Sequence, residues 1–368
     1  MIIKSLELSD YRNYGSLNIT FDKGTNILFG DNAQGKTNIL EAIYFCATTK
    51  SHKLSKDKEV IKFDKDEAHI RTFIEKDGIE TRVDMHLRSS KSKGIAIDGV
   101  KIKKAAELLG LLKVVFFSPE DLSIIKNGPA ERRRFIDMEL CQLDNFYIYN
   151  MNNYNKIVNQ RNNLLKNLYN NYELKDTLGI WDEQLISYGS KIIERRKQFI
   201  EQLNDIVGNL HYKISGEKEN MRLVYEPNVN IEDYKKALTD SHERDIKLKQ
   251  TTVGPHRDDI SFLVKNDDTN NIEIDIRKYG SQGQQRTAAL SLKLSEIEIV
   301  KKITKDTPVL LLDDVLSELD SNRQNFLLNS IGNIQTIITC TGLDEFVNNR
   351  FEINKVFKVT NGRVSEAS

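Results

Sequence analysis

Residues 30–38, Gly-Asp-Asn-Ala-Gln-Gly-Lys-Thr-Asn, constrain the fold more than any other stretch of this chain. They match G-x-x-x-x-G-K-[ST] as Gly30, Gly35, Lys36 and Thr37, a pattern that carries its own structural context. The preceding run 25–29, Thr-Asn-Ile-Leu-Phe, suits a short buried strand. The following run 37–47 places Leu40, Ile43, Tyr44 and Ala47 on one helical face. A strand, a glycine loop and a helix in that order form a phosphate cradle. The backbone of Asp31, Asn32, Ala33, Gln34 and Gly35 turns its N–H groups inward, and the helix start adds partial positive charge. Lys36 is the residue to reach the β- and γ-phosphates, and the Thr37 hydroxyl is a ligand for Mg²⁺.

Such a loop needs an acidic partner strand. Residues 308–320, Pro-Val-Leu-Leu-Leu-Asp-Asp-Val-Leu-Ser-Glu-Leu-Asp, contain a continuous apolar run, 309–312, of the kind found in central parallel strands. Asp313 and Asp314 follow at its carboxyl end, where open α/β sheets bind ligands. Asp313 is placed to hold Mg²⁺, directly or through water. Asp314 is placed to orient or deprotonate an attacking water, which with Lys36 makes the catalytic pair. About 280 residues separate loop and strand, so a large insertion splits the nucleotide fold.

The insertion is helical. Residues 129–144 open on a proline and read as a helix. A heptad-like stripe follows through Tyr147, Met151, Tyr154, Val158, Arg161, Leu165, Leu168 and Tyr172. A second runs through Trp181, Leu185, Tyr188, Ile192, Arg195, Phe199, Ile206 and Leu210. Two long helices joined by a short turn pack antiparallel. Around this arm the pattern is β-rich at 2–11, 16–21, 67–75, 79–87 and 93–102, with a turn signal at 75–78. Strand pattern returns at 221–227 and 251–264, and the last strands end in a hairpin around Asn361-Gly362. The resulting division is 1–117, 118–245 and 246–368, with the first and last pieces forming one head.

Composition narrows the class. The 368 residues suffice for two domains, and 39% apolar with 29% charged content fits a globular chain. No apolar run nears the roughly 20 residues of a membrane span, and the N-terminus lacks a signal-peptide layout. Cys46, Cys141 and Cys340 have no metal spacing and read as core residues of a cytosolic protein. The six histidines form no His-rich acidic cluster along the chain. With 54 basic and 54 acidic residues the net charge is zero, so a nucleic-acid partner must meet a local basic surface.

A third element sets the class. Residues 281–286, Ser-Gln-Gly-Gln-Gln-Arg, begin a helix that runs to about residue 303, with Ser281 as N-cap and Gly283 and Gln284 in the first turn. Alone it is a well-capped helix. In order, the phosphate loop, the helical insertion, this helix start, the acidic strand and Ser317 to Asp320 resemble an ABC-type ATPase head. The resemblance implies an α/β fold: an ABC-type ATPase head with a β-rich N-terminal lobe and a separate helical arm, an antiparallel long-helix hairpin. It also implies an ATP-sandwich homodimer in which Ser281, Gly283 and Gln284 of one protomer complete the γ-phosphate site of the other. Ser317 to Asp320 then form the D-loop.

Within that class the chain resembles the RecF family of recombination mediators. The resemblance rests on residues 10–14, 30–38, 118–137, 251–259, 281–287 and 310–320. It implies binding to duplex DNA near gaps or single-strand/duplex junctions without sequence preference. It implies partnership with RecR and RecO, indirectly with RecA, in cytoplasmic DNA repair without a membrane. A transport cassette fits worse because of the β-rich lobe, the helical hairpin and the missing membrane-coupling segment, and a chromosome-organising head because the arm has only about thirty residues per helix. Two departures from the wider pattern suit a slow ATPase: Asp314 stands where ABC proteins usually carry Glu, and Thr341 where they carry His; the resemblance implies that DNA stimulates it.

Four further features stay open at this level. Arg12 resembles an arginine-loop residue that touches nucleotide phosphate, and equally suits a surface turn. The lysine-rich segment 50–58 suits DNA-backbone contact, and also a solvated loop. Arg132 to Arg134 cannot all face one way, so at least one is structural. His256, after a Gly-Pro turn, reads as a folding or lobe-contact residue.

Overall fold

The computed structural model describes residues 1–52, 56–168, 172–266, 272–343 and 352–367. They form two compact units: Met1–Asp121 with Glu296–Ser368, and Leu122–Ser295.

The first unit holds two six-stranded sheets. One is antiparallel, built from β1 (Ile2–Tyr11), β2 (Tyr14–Thr20), β4 (Glu67–Lys76), β5 (Ile79–Arg88), β6 (Gly94–Ile97) and β7 (Val100–Lys101), in the order β2-β1-β4-β5-β6-β7. Its strands alternate apolar-in, polar-out; in β4, Ala68, Ile70, Thr72 and Ile74 are buried and their neighbours face water. The β4–β5 turn puts Asp77 and Gly78 at positive φ (52° and 78°), the conformation that suits the right-handed twist of a hairpin.

The other sheet is parallel except at one edge. It contains β3 (Thr25–Phe29), β8 (Val114–Phe117), β12 (Val309–Asp313), β13 (Thr336–Cys340), β14 (Lys355–Thr360) and β15 (Arg363–Ala367), in the order β15-β14-β3-β13-β12-β8. Only β15 runs antiparallel, closing a hairpin on β14. All five residues of β12 and of β13 are buried, as apolar runs in a doubly covered sheet must be. Helix α1 (Lys36–Thr48) packs against β4 of one sheet and β8, β12 and β13 of the other. Ile39, Leu40, Ala42, Ile43, Phe45, Cys46 and Ala47 are therefore all buried. The expected single stripe was too narrow, because a helix contacted by two sheets is buried around most of its circumference; Tyr44, expected inside, is only half-buried.

The second unit contains α2 (Leu122–Lys126), α3 (Pro129–Leu143), α4 (Asn145–Asn167), α5 (Leu178–Ile214), α6 (Tyr234–Leu248), α7 (Ile276–Tyr279) and the start of α8 (Gln282–Thr304). It also holds an antiparallel sheet of β9 (Glu219–Glu226), β10 (Asp259–Asn266) and β11 (Glu273–Asp275), ordered β11-β10-β9. Arg161 late in α4 meets Asp182 early in α5, and Tyr147 early in α4 meets Arg196, so the two helices run antiparallel. Along α5 the buried line is Asp182, Leu185, Gly189, Ile192, Arg196, Phe199, Leu203 and Val207. The expected stripe is corrected at Trp181, Tyr188, Arg195, Ile206 and Leu210, which are only partly buried. Apolarity misleads here because charged residues, paired as described below, occupy the inner face. Residues 246–295 fall within this unit, since β10 pairs with β9 along its length. Cys46 and Cys340 are buried, but Cys141 is only half-buried. Among the described residues no helix is long and apolar enough to cross a membrane.

Candidate functional site

The loop 30–35 leaves the carboxyl end of β3 and enters α1, so its amides sit at the helix start. Gly30 and Gly35 have φ of 152° and 112°. A methyl group on Gly30 would lie 2.3 Å from the Val359 carbonyl of β14, and one on Gly35 would lie 2.4 Å from Asn13 Nδ2. Only glycine satisfies both conformation and room at these two corners. At the crown, Ala33 has a φ of 62°, and Asp31, Asn32 and Ala33 are exposed. Lys36 is 4% exposed, and its ammonium donates to the Gly30 and Asp31 carbonyls, so the cation lies inside the loop.

Two neighbours brace the loop. Asn13 Nδ2 donates to the Gln34 carbonyl at 3.0 Å, and the Tyr14 hydroxyl donates to the Gly35 carbonyl at 3.1 Å. The β14–β15 turn supplies two more bonds: Asn361 N–H to Gln34 Oε1 at 2.6 Å, and Gly362 N–H to the Gln34 carbonyl at 3.1 Å. Asn38 Nδ2 donates to Asn13 Oδ1 at 2.8 Å, which ties the helix start to the same corner.

The acidic strand completes the site. β13 lies between β3 and β12, and Thr339 pairs with Leu28 on one side and Asp313 on the other. Asp313 Oδ1 accepts from Thr37 Oγ1 and from Thr339 Oγ1, both at 2.8 Å. The sequence reading missed Thr339; its signal was a hydroxyl residue at the carboxyl end of an apolar strand. Asp314 turns out of the strand at a φ of 53°, and its N–H donates to Thr339 Oγ1 at 3.0 Å. Its side chain opens into a cleft of about 190 Å³ lined by Leu316, Ser317, Thr339, Thr341 and Gly342. Burial raises the Asp314 carboxyl above its usual range; the Lys36 charge opposes that shift and Asp313 adds to it. Thr37 Oγ1 and the Asp313 carboxylate are adjacent hard oxygen donors, the set that Mg²⁺ prefers.

The remaining predicted residues divide. Ser281 and Gln284 cap α8 reciprocally: Gln284 N–H donates to Ser281 Oγ at 3.2 Å, and Ser281 N–H to Gln284 Oε1 at 2.9 Å. Ser281 and Gly283 are exposed at this helix start, which belongs to the second unit. Arg12 is committed elsewhere. Its guanidinium forms a two-pronged pair with Glu41 of α1, both contacts at 2.7 Å, and donates to the Glu59 carbonyl at 2.9 Å. Lys50, Lys56 and Lys58 are exposed; Lys53 lies outside the described residues.

Arg132 is structural, paired with Asp259 at 2.5 Å, and Arg133 donates to the Asp258 carbonyl at 2.6 Å. His256 is a folding residue held between the Tyr154 hydroxyl (2.7 Å) and the Thr251 carbonyl (2.9 Å), and burial pushes its imidazole down to about 4.

Residues 2–365 match the family described as RecF/RecN/SMC N terminal domain. A curated DNA replication and repair protein RecF of Lachnoclostridium phytofermentans is 61% identical over 366 residues, covering 100% of both chains. One from Clostridium perfringens is 47% identical over 99% of both. A solved structure of the recombination mediator protein RecF-ATPrS superposes with a TM-score of 0.90 at 36% identity, covering 100% of this chain and 98% of that one. An Smc head bound to a domain of ScpA superposes at 0.59 with 19% identity, over 100% of this chain and 98% of that one, a likeness of fold alone.

Proposed function

The chain belongs to the RecF family, with the fold of an ABC-type ATPase head, and from that premise we propose an ATP-controlled, DNA-binding mediator of recombinational repair. The observation that carries the reading is the convergence of Lys36, Thr37, Asp313 and Thr339 at the carboxyl ends of three adjacent parallel strands. ATP is the substrate. The loop amides of Asp31 to Gly35 cradle its phosphates, and Lys36 exchanges its loop carbonyls for phosphate oxygens. Thr37 and Asp313 would hold Mg²⁺, which neutralises charge on the phosphates when bound. Asp314, held off the strand by its left-handed backbone, accepts the proton of the attacking water, and its raised pKa makes it a better acceptor near neutral pH.

Ser281, Gly283 and Gln284 offer an exposed helix start to the γ-phosphate bound by a second copy, so ATP closes a homodimer and hydrolysis opens it. Arg12 holds Glu41 in the middle of α1, the helix that follows the phosphate loop, and so acts on phosphate at one remove. Asp for Glu at position 314 and Thr341 for His make hydrolysis slow, a timer for the closed state that DNA accelerates. The closed dimer grips duplex DNA near gaps or junctions through backbone-neutralising lysines such as Lys50, Lys56 and Lys58, without reading sequence. There it acts with RecR and RecO in loading RecA.

The direct test is fluorescence anisotropy on a gapped duplex with ATP, with ADP, and with Lys36→Met. Tighter binding with ATP, lost in Lys36→Met, supports the switch; equal binding in all three removes nucleotide control. Ser281→Arg should retain ATP and lose ATP-dependent dimerisation; a normal dimer in that variant refutes the sandwich.

A further inference from the structure

The outer face of the antiparallel sheet gathers another set of donors. His69 of β4 and His86 of β5 are direct cross-strand partners. Glu67, two residues before His69, emerges on the same face. The sequence reading expected no His-rich acidic cluster, because these residues are scattered along the chain; strand register brings them together. The two imidazoles stack with centroids 4.1 Å apart and 21° between planes. His86 Nε2 lies 2.6 Å from a Glu67 carboxylate oxygen. One ligand atom from each of the three lies within 4.8 Å of the others.

We propose that Glu67, His69 and His86 form a binding site for one divalent transition-metal ion, Zn²⁺ foremost, distinct from the Mg²⁺ site at Thr37 and Asp313. Two imidazoles and a carboxylate suit Zn²⁺, Co²⁺ or Ni²⁺ and disfavour Mg²⁺, which takes oxygen donors. The backbone is already arranged. Positions i and i+2 share a face, and directly opposed residues have β-carbons about 5 Å apart. Zn–N bonds of about 2.0–2.1 Å place tetrahedral donors roughly 3.4 Å apart. Exposed Glu67 and His69 close the remaining distance by side-chain torsion, with no strand moving.

Neutral imidazole and ionised carboxylate are the ligating forms. Three protein ligands leave a fourth position open to water or a small anion. His69 and His86 line a cleft of about 460 Å³ together with Ser9, Arg71, Arg88 and Lys101.

The test uses the full chain, stripped with chelator and kept in excess Mg²⁺ to occupy the nucleotide site. Titration calorimetry with ZnCl₂ should show one Zn²⁺ per chain, and CoCl₂ should give visible absorption bands of a low-coordinate nitrogen and oxygen site. His69→Asn and His86→Asn, on the solvent side of the sheet, should each weaken Zn²⁺ by at least about tenfold and abolish the cobalt bands. Both should keep wild-type melting curves without metal and wild-type affinity for Mg-ATP. Zn²⁺ binding unchanged in both variants, or displaced in full by Mg-ATP, would overturn the proposal, as would the absence of a one-to-one site in the wild type. In that event the three residues are a cross-strand ion pair with a stacked neighbour.

Discussion

The two units fill their interiors with different chemistry. In the first, the centre of the parallel sheet is hydrocarbon: Ile27, Leu28, Val309 to Leu312, Ile337 and Ile338 are buried, with Leu28, Val309, Leu311 and Ile337 in one core with α1. Charged groups gather at the carboxyl ends of the strands and the nearby helix, as Lys36, Asp313 and the Arg12–Glu41 pair. In the second, arginines reach the core. Arg161 is fully buried and pairs with Asp182 at 3.0 Å and Asp245 at 2.6 Å. Arg196 is 1% exposed and pairs with Asp137 at 2.7 Å and Asp258 at 2.8 Å. Arg132 and Arg277 share Asp259. Hydrocarbon is indifferent to its partner, whereas a buried guanidinium accepts only a carboxylate or carbonyl in the right place. The first unit is thereby built to hold a reactive edge, and the second to hold one arrangement of helices.

That contrast can be broken by experiment, and the largest effect should come at the reactive edge. Asp314→Asn should lower ATP turnover by about 10²–10⁴-fold without altering the melting curve. In the wild type the carboxylate is lost as pH falls through its raised pKa. The acidic limb of the rate profile should therefore lie above the ordinary carboxylate range, and the variant should lack it. A limb shared by both proteins would take the proton-accepting role from Asp314.

Next in size is Arg161→Met, which strands Asp182 and Asp245 in the core and should destabilise the second unit by about 3–5 kcal/mol. Trp181, the one tryptophan of the sequence, lies on α5 and reports this unit in denaturant titrations. Replacing all three charged residues with apolar ones of similar volume should recover most of the loss. A cost for Arg161→Met below about 1 kcal/mol, the scale of an exposed pair, would erase the distinction between the units.

A third test uses pH. The folded His256 imidazole titrates at about 4, below its ordinary 6.5. Between those values the unfolded chain binds the proton and the folded chain does not. Stability of the second unit should fall as pH drops through that window, by up to about 3 kcal/mol at its lower end. His256→Asn should flatten that slope. The smallest effect belongs to the hydrocarbon core: Ile338→Val should cost about 0.5–1.5 kcal/mol, read as faster hydrogen exchange in β12 and β13.

The same contrast explains what could be read in advance. The strands around the phosphate loop are short apolar runs, and a run carries its own evidence of burial, so Thr25–Phe29 and Val309–Asp313 are legible residue by residue. The Thr37–Asp313 pair follows from the two motifs together. The inner face of α5 is not legible in this way. Its line passes through Asp182 and Arg196, whose partners at His242 and Asp258 lie about sixty residues further along. Local pattern then prefers Trp181 and Arg195, one position off. Thr339 and the His69–His86 pair were missed for a related reason: each acquires its role from the strand beside it. Arg12 was half-read, with its special position recognised and its partner, Glu41, not.

The hydrogen bonds from Asn361 and Gly362 to Gln34 bear on the order in which the protein is made. The ribosome releases the loop within the first tenth of the chain, but β3 pairs with β13 and β14, translated more than 300 residues later. Until those strands emerge, the loop has a helix behind it and the Asn13 and Tyr14 contacts, but β3 has no sheet neighbour. The nascent chain thus carries an unfinished nucleotide site while the intervening residues are made. Both sheet neighbours of β3, and the turn that braces Gln34, are translated more than 300 residues after the loop. A chain cut short before β14 would carry all the nucleotide motifs and still lack the frame that holds them.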